Sequence, residues 1–285
     1  MSRSTDTSKT RRLVALTGRA RTAGSVWLVG AGPGDPELLT VRAVKVLRAA
    51  DVVLHDSLVN PEILALVPHG AKLIDVGKRC GRKSTPQEEI NRQLVEYSLM
   101  GLQVVRLKGG DPFIFGRGGE EIEALRQAGV ETEVVPGITA ALGAAAGTQI
   151  PLTHRDLSST LILVTGSSRN AEHIANWPDA LPQNATLVVY MPGHYLSSLQ
   201  QRLLSSGVAP ETPCAIISGA TIESEQVHLT VVANLFAAPR HNAPSLLIVG
   251  EVVRFAEARQ LREQFNEFSW GIQFSDVSPE TGESA

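Results

Sequence analysis

The sequence has few cysteines and no clustered metal ligands. Its two cysteines, Cys80 and Cys214, stand far apart in 285 residues and outside any metal-ligand spacing. A disulfide framework is therefore not expected, and a reducing compartment, the cytoplasm, fits best. The seven histidines form no close pair at helical spacing, so we predict no structural metal.

Long apolar runs and a large net charge are also absent. No apolar run reaches the roughly 18 residues that span a bilayer, so we predict no membrane segment. The formal net charge of −3 argues against general affinity for nucleic acid. A local basic cluster can still bind an anionic small molecule, because a site responds to nearby charges more than to the total.

Neither end of the chain has the apolar pattern of a folded domain. Residues 1–24 are rich in Ser, Thr and Arg, and Asp6 is their single acidic residue. This composition predicts a disordered arm. A transit peptide is the alternative, whereas a secretory signal would need an apolar core. Residues 271–285 are polar and mildly acidic and predict a disordered tail.

Between the two ends, short β-rich runs alternate with helical patterns. In residues 25–148, strands are predicted at Val26–Gly30, Val52–Leu54, Lys72–Val76, Gln103–Leu107 and Glu131–Val135. Helices are predicted after a Thr40 cap, after a capping box at Thr85, and over Glu120–Ala128. This alternation is typical of an α/β domain with a mostly parallel sheet covered on both faces.

A second domain is predicted over residues 149–270. Residues 147–159 mix glycine, proline and polar residues without periodicity, and they mark the boundary. The strands that follow are predicted at Leu161–Thr165, Thr186–Met191, Ala215–Ser218, Gln226–Val231 and Ser245–Val249. Because turn signals are denser here, we expect a mixed, partly antiparallel sheet.

The first glycine-rich motif spans residues 30–35, GAGPGD, directly after a predicted strand. A dinucleotide fingerprint uses glycines there so that a helix N-terminus can bind a pyrophosphate. Here Pro33 removes a backbone N–H where donors are needed, and the Asp35 carboxylate would repel a phosphate. A nicotinamide-dependent oxidoreductase is therefore disfavoured, and a neutral or cationic cofactor suits these residues better.

A second glycine-rich stretch, residues 109–120, follows the fourth predicted strand. Its five glycines let ligand atoms approach the backbone closely. Loops at the carboxyl ends of parallel strands are where open α/β sheets bind ligands. Asp111 could accept hydrogen bonds from a ribose or an amino group. The side chains of residues 113–115, Phe-Ile-Phe, could form an apolar wall or simply pack in the core.

A basic cluster, residues 78–83, follows the third predicted strand and has four basic residues in six positions. A charge run is usually solvated surface, but this one adjoins glycines at a strand end. Together with Arg106, Arg117 and Arg155 it would suit a substrate with several carboxylates. Arginine favours this interpretation because its planar guanidinium binds a carboxylate through two hydrogen bonds.

Taken together, these motifs resemble the tetrapyrrole (precorrin) methylase family, and in particular its uroporphyrinogen-III branch. The resemblance runs in order from about Val26 to Arg254. It rests on the strings VGAGPGDPELLT, GKRCGRKSTPQEEIN, VVRLKGGDPFIFGRGGEE, VVPGITAA, PLTHR and SGAT. It implies two α/β domains with S-adenosylmethionine cradled between them, commonly in a homodimer. One departure is Pro192, where a glycine or small residue is expected.

The resemblance also implies an activity and a set of site residues. Two methyl groups would pass to C-2 and C-7 of uroporphyrinogen III, giving precorrin-2 via precorrin-1, with S-adenosylhomocysteine as the other product. Precorrin-2 feeds sirohaem, cobalamin or haem d1 synthesis. The residues matching the family's cofactor positions are Pro33, Gly109, Gly110, Asp111, Ile114, Thr139, Ala140, Met191 and Gly219. Those matching its proton-handling and substrate-binding positions are Asp56, Lys78, Arg117, Glu120 and Arg155.

The individual roles stay open at this level. Asp56 and Glu120 are plausible bases for the proton that the methylated ring must lose. Arg117 and Arg155 suit the clamping of carboxylates better, because a guanidinium does not give up its proton in proteins. Lys78 could donate a proton or bind a carboxylate. The alternative functions are methylation of a later corrin intermediate, methylation of the protein substrate of diphthamide synthesis, and non-catalytic binding of S-adenosylmethionine or a tetrapyrrole.

Overall fold

The computed structural model describes residues 24–77, 85–166, 179–193, 196–239 and 244–256, and they divide into two compact units. The first unit is the chain up to Ala144 together with Gly219–Glu225, and the second is the remainder from Ala145. The division thus falls four residues before the predicted boundary at 148. Gly24, predicted as the end of the arm, is already buried, and its amide donates to the Ser98 carbonyl at 2.9 Å. Residues 1–23 of the predicted arm, and the tail, lie outside the described residues.

The first unit is built on a parallel five-stranded sheet in the order β3-β2-β4-β1-β5. Its strands are β1 (Val26–Gly30), β2 (Val52–His55), β3 (Lys72–Asp75), β4 (Val104–Lys108) and β5 (Thr132–Val135). The register sets Leu28 of β1 beside Arg106 of β4 and Val134 of β5. The three central strands β1, β2 and β4 are almost wholly buried. β1 and β2 are apolar except at their last residues, as expected of buried parallel strands, whereas β4 also contains Arg106 and Lys108.

Helices cover both faces of this sheet, as the sequence predicts. They are α1 (Val41–Arg48), α2 (Pro61–Leu64), α3 (Gln87–Leu99), α4 (Gly118–Gln127) and α5 (Ala140–Thr148). On one face Leu47 and Ile63 pack against Val53 and Leu107. The core on the other face is formed by Leu28, Leu54, Val104, Ile90, Leu94 and Leu125. Alternate residues of each strand therefore face two separate helical layers.

The two predicted helix caps have different outcomes. Thr40 caps α1 as expected, and its hydroxyl accepts from the Ala43 amide at 3.1 Å. The capping box at Thr85 is wrong, because α3 begins at Gln87 and the cap position belongs to Pro86. Pro86 has an extended ψ of 145° and no side-chain cap bond. Its carbonyl accepts the first helical bonds, from Glu89 and Ile90, so the helix starts one residue later than the box requires.

The second unit contains a mixed sheet in the order β6-β7-β10-β8-β9. Its strands are β6 (Thr160–Thr165), β7 (Ala185–Tyr190), β8 (Pro213–Ser218), β9 (Gln226–Val231) and β10 (Ser245–Val249), and its helix is α6 (Leu196–Ser205). β6 and β7 pair in parallel, whereas the other three pairings are antiparallel. The expectation of a mixed sheet is confirmed. No helix in the described ranges has both the length and the apolar character that a membrane crossing needs.

Candidate functional site

The strand order of the first unit places the connections after β2 and β4 apart. The chain leaves β2 toward β3 at one edge of the sheet and leaves β4 toward β5 at the other. Ligands of open parallel sheets bind at such a switch point, beyond the carboxyl ends of the strands. Asp56 directly follows β2 and Gly109 directly follows β4. The Asp56 Oδ2 atom accepts a hydrogen bond from the Gly109 amide at 3.1 Å, so two predicted site residues meet at this point.

The glycines at positions 30, 32, 110 and 137 lie where the loops after β1, β4 and β5 touch one another. Gly32 and Gly110 exchange two backbone hydrogen bonds, of 3.1 and 2.7 Å. A Cβ atom on Gly137 would lie 2.3 Å from the Gly110 carbonyl oxygen, and one on Gly30 would lie 2.6 Å from that same atom. Gly110 itself has a φ of +66°, which side chains disfavour. Packing and backbone geometry therefore account for these glycines.

Gly109 is different, because the protein itself does not require a glycine there. An added Cβ would meet no atom within 4 Å, and Gly109 is not among the residues with positive φ. A side chain at this position would instead fill the space beside the exposed backbone at the end of β4. The missing side chain suits a ligand that lies against the backbone, and this is the fit expected of a cofactor cradle.

Asp111 ties two of these loops together. Its Oδ1 atom accepts from the Phe113 amide at 2.8 Å, and its Oδ2 atom accepts from the Gly137 amide at 3.1 Å. A carboxylate oxygen can accept more than one hydrogen bond, so a ligand can still bind there. A Cβ on the neighbouring Gly110 would lie 3.7 Å from both the Thr139 Cα and the Ala140 amide nitrogen. The structure therefore gathers the predicted cofactor residues 110, 111, 139 and 140 in one place.

Pro33 is held by α5 and by the turn Gly219–Glu225. A Cβ on Gly143 of α5 would lie 2.7 Å from the Pro33 ring and 3.0 Å from the Thr221 Cγ2 atom. The Asp35 amide donates to the Thr221 hydroxyl at 3.2 Å. Gly219 begins this turn with a φ of +58°. The predicted residues Pro33 and Gly219 thus belong to neighbouring segments of the first unit.

Arg117 and Glu120 form an exposed ion pair at the start of α4. Arg117 is the cap residue of this helix and has a left-handed φ of +59°. Its Nε and Nη2 atoms donate to the two Glu120 carboxylate oxygens at 2.8 and 2.6 Å. The hydrogen bonds that Arg117 donates to the Glu120 carboxylate raise the pKa of Arg117 above its usual value. The guanidinium therefore stays charged and presents a cation next to the glycine-rich loop.

Beneath these loops lies a group of buried charges. Arg106 is 4% exposed; its Nε donates to Glu121 Oε1 at 2.9 Å and its Nη2 donates to Asp56 Oδ1 at 2.5 Å. Lys108 Nζ lies 3.1 Å from Glu121 Oε1 and 3.0 Å from Oε2, with hydrogen-bond geometry toward Oε1 only. Gln87 Nε2 also donates to Oε1. Two cations and two carboxylates thus balance, three of them buried and Asp56 partly exposed.

These buried cations differ in how firmly they hold their protons. Burial opposes the charge on Arg106, but the carboxylates of Asp56 and Glu121 outweigh it and raise the pKa of Arg106. Burial and the charge of Arg106 lower the pKa of Lys108, and Glu121 offsets this only in part. Arg106 is therefore the fixed positive centre of the group.

Comparison with known proteins agrees with this geometry. Residues 25–235 match the family of Tetrapyrrole (Corrin/Porphyrin) Methylases. The chain is a tetrapyrrole methylase. The family's span takes in the loops after β1, β2, β4 and β5, and the turn 219–225.

Relatives of this methylase include longer proteins. Siroheme synthase 2 of Aeromonas hydrophila subsp. hydrophila is 49% identical over 235 residues, which cover 82% of this chain and 50% of that protein. The siroheme synthase of Azotobacter vinelandii is 50% identical over 246 residues, which cover 85% of this chain and 53% of that protein. The chain therefore spans about half the length of the curated relatives it matches.

Solved structures match over nearly their whole length. A uroporphyrin-III-C-methyltransferase from Thermus thermophilus is 42% identical with a TM-score of 0.70, covering 82% of this chain and 96% of that one. A structure of such an enzyme from the same organism, complexed with S-adenyl homocysteine, is 38% identical with a TM-score of 0.68, covering 81% and 94%. A cobalt precorrin-4 methyltransferase is 29% identical with a TM-score of 0.69, covering 80% and 95%.

Four predicted site residues of this methylase remain to be placed: Ile114, Met191, Arg155 and Lys78. Ile114 is half-buried between the more exposed Phe113 and Phe115 in the first unit. Met191 and Arg155 belong to the second unit, where Met191 is 47% exposed with a φ of +50° and Arg155 is exposed. Lys78 lies outside the described residues. Across the described ranges, no three His, Cys, Asp or Glu residues are grouped so that they could hold a metal.

Sequence reasoning missed Lys108, Glu121 and Gln87. One signal was available, because β4 reads Val-Val-Arg-Leu-Lys and a strand buried on both faces is normally an unbroken apolar run. Two charges at alternate positions of such a strand require buried partners on the same face. The identity of those partners depends on how α3 and α4 pack, which the sequence pattern does not give.

Proposed function

We propose that this chain transfers methyl groups from S-adenosylmethionine to C-2 and C-7 of uroporphyrinogen III, giving precorrin-2 by way of precorrin-1. The observation that carries the proposal is the open backbone at Gly109 at the switch point of the sheet. The likeness to the Thermus uroporphyrin-III-C-methyltransferase, over 96% of that chain at 42% identity, supports the choice of substrate.

The cofactor would be held by the loops after β1, β4 and β5 together with Gly219 of the first unit. When bound, S-adenosylmethionine supplies an electrophilic methyl group on a sulfonium sulfur. Gly109 leaves room against the backbone, and Asp111 fixes the loop while keeping carboxylate lone pairs for a hydroxyl or an ammonium. Pro33 and Asp35 disfavour a pyrophosphate but tolerate a cation. These properties suit a sulfonium nucleoside.

The substrate would be oriented by charge. Uroporphyrinogen III carries a carboxylate on each acetate and propionate arm, and Arg117 is a permanent cation on an exposed helix cap. Arg155 and Lys78 would add further cations by resemblance to the family. Most of the rate acceleration would come from holding an electron-rich pyrrole carbon in line with the methyl group, because orientation can lower the barrier by up to roughly 7–11 kcal/mol.

The proton released after methylation needs an acceptor, and Asp56 and Glu120 are the two carboxylates proposed for it. Each already binds a guanidinium, Asp56 that of Arg106 and Glu120 that of Arg117. Asp56→Asn and Glu120→Gln keep the shape of each side chain and remove its basicity. The variant that binds both substrates yet accumulates no product identifies the base.

The test of the function is direct. The protein is incubated without oxygen with uroporphyrinogen III and S-adenosylmethionine, and the product is oxidised. We expect red-fluorescent sirohydrochlorin together with S-adenosylhomocysteine. Binding of S-adenosylhomocysteine without turnover of uroporphyrinogen III would overturn the proposal and favour a later corrin intermediate as the substrate.

We further propose a homodimer that works in the cytoplasm and feeds sirohaem, cobalamin or haem d1 synthesis. The names of the siroheme synthase relatives support the first of these three routes. Light scattering of the purified chain tests the dimer, since a monomeric mass would refute it.

A further inference from the structure

The buried charges beside β4 are costly and call for a physical reason. Arg106, Lys108 and Glu121 are 4%, 2% and 0% exposed. Well-packed apolar side chains in place of a buried ion pair are often as stable or more so. Stability alone therefore does not explain why charges occupy these core positions. Their contacts lead toward the site, which suggests that they hold its parts in place.

A continuous series of contacts runs from α4 to the cofactor cradle. The Glu121 carboxylate accepts from Arg106 Nε at 2.9 Å, and Arg106 Nη2 donates to Asp56 Oδ1. The other Asp56 oxygen accepts from the Gly109 amide at 3.1 Å. Arg106 also donates to the Leu107 carbonyl at 3.0 Å. Each group in this series is thus held by the one before it, and the series ends at the backbone amide of Gly109.

The same carboxylate also fixes the far side of the glycine-rich loop. Lys108 Nζ lies within 3.1 Å of both Glu121 oxygens. The stem of this lysine passes beneath Gly116, where an added Cβ would lie 3.2 Å from Lys108 Cε. Glu121 is thus linked to Gly109 through hydrogen bonds and to Gly116 through the stem of Lys108.

We infer that Glu121 is a positioning residue, which through Arg106 and Asp56 holds the Gly109 backbone where the cofactor binds. This inference rests on the proposed function in one respect, that Gly109 contacts the cofactor. The Glu121 Oε1 atom accepts hydrogen bonds from Arg106, Lys108 and Gln87, whereas the buried Oε2 atom accepts none and lies 3.0 Å from Lys108 Nζ. One carboxylate oxygen thus holds both charged residues of β4 that precede Gly109. Removing Glu121 should therefore loosen the cradle rather than only weaken the fold.

The test compares Glu121→Ala with Leu125→Ala in the intact protein. Leu125 lies one turn further along α4, is 0% exposed and packs in the core on the same face of the sheet. Both substitutions leave a cavity, but only the first cuts the series of contacts. Hydrogen exchange of the segment 105–113 and calorimetric titration with S-adenosylhomocysteine are measured where both variants are folded.

We expect faster exchange of the Gly109 segment in Glu121→Ala, and a dissociation constant for S-adenosylhomocysteine raised about tenfold or more. Leu125→Ala should leave both close to wild type. Equal losses in the two variants, or an unchanged Gly109 segment in Glu121→Ala, would overturn the inference. If Glu121→Ala does not fold, Glu121→Gln replaces it with the same expected direction, since it keeps the volume but loses the charge.

The exchange measurement needs no ligand, and this separates the two proposals. A wild-type protein that fails to bind S-adenosylhomocysteine would refute the proposed function. The exchange comparison would still decide whether Glu121 positions Gly109.

Discussion

Gly109→Ala should affect cofactor binding without lowering the stability of the fold. In the protein alone the added methyl group meets no atom within 4 Å, and the backbone is not in the left-handed region. Alanine also restricts the unfolded chain more than glycine does. We therefore expect the free energy of unfolding to stay the same or to rise by about 0.4–1 kcal/mol.

The affinity for the cofactor should fall in Gly109→Ala, although the fold is no less stable. A methyl group forced into a packed contact costs about 1–3 kcal/mol, which corresponds to roughly a 5- to 150-fold rise in the dissociation constant. Denaturant unfolding gives the first quantity, and calorimetric titration with S-adenosylhomocysteine gives the second. Wild-type affinity in a stable Gly109→Ala protein would refute the assignment of this backbone to the cradle.

Two further glycine variants serve as controls, one expected to leave cofactor binding unchanged and one expected to destabilise the fold. Gly70→Ala adds a methyl group that likewise meets nothing within 4 Å, two residues before β3 and thus not at the carboxyl end of a strand. It should leave the dissociation constant unchanged, and it should affect the free energy of unfolding as Gly109→Ala does. Gly137→Ala brings a Cβ within 2.3 Å of the Gly110 oxygen and 2.8 Å of the Gly30 Cα. Because both are backbone atoms, it should destabilise the fold by about 1–3 kcal/mol or more.

The remaining predictions concern three single residues, Arg117, Cys214 and Gln149. Arg117→Lys and Arg117→Met should lower kcat/KM for uroporphyrinogen III roughly tenfold or more, because neither binds a carboxylate bidentately. Their free energy of unfolding should change by less than about 1 kcal/mol, since the pair with Glu120 is half exposed; normal turnover in both would contradict the clamp. Burial raises the pKa of Cys214 to about 12, so mass spectrometry should find this thiol unalkylated in native protein treated with iodoacetamide near about pH 8. The unfolded thiol ionises near its ordinary value of 9.0 while the folded one does not, so this thiol's contribution to stability should be lost as the pH rises from 9 toward 12; stability gained in that interval would contradict the burial. Gln149→Gly relieves a φ of +59° and should raise the free energy of unfolding by up to about 1 kcal/mol, whereas a lower melting temperature would contradict backbone strain there.

The strands could be located from the sequence because they are buried. The strands β1 and β2 lie in the sheet interior and are apolar except at their last residues, between turn signals. The strand predicted over Gln103–Leu107 runs over Val104–Lys108, so each of its ends lies one residue later than predicted. Lys108 pairs with Gly30 in register and is buried against Glu121. A charged residue with a buried partner is invisible to hydropathy alone.

The site could be predicted only as a set of loops. Ligand-binding loops lie at the carboxyl ends of parallel strands, so the residues after β1, β4 and β5 could be assigned from the alternation of strands and helices. Which loops touch depends on the strand order β3-β2-β4-β1-β5, and local propensity does not determine that order. The contact of Asp56 with Gly109, across neighbouring strands far apart in sequence, follows from the order alone.

Backbone strain gives an independent indication of where function lies. In the described ranges, the non-glycine residues with positive φ are Phe115, Arg117, Gln149, Met191 and Thr221. Such a conformation costs about 1 kcal/mol or more for each residue and persists only where the surroundings impose it. Phe115 and Arg117 flank Gly116, where a Cβ would meet the Pro112 oxygen at 2.7 Å, so the tight loop imposes their strain. The loop thereby exposes the ring of Phe115 and the guanidinium of Arg117, and each strained residue lowers the stability of the fold. A fold selected for stability alone would not retain both.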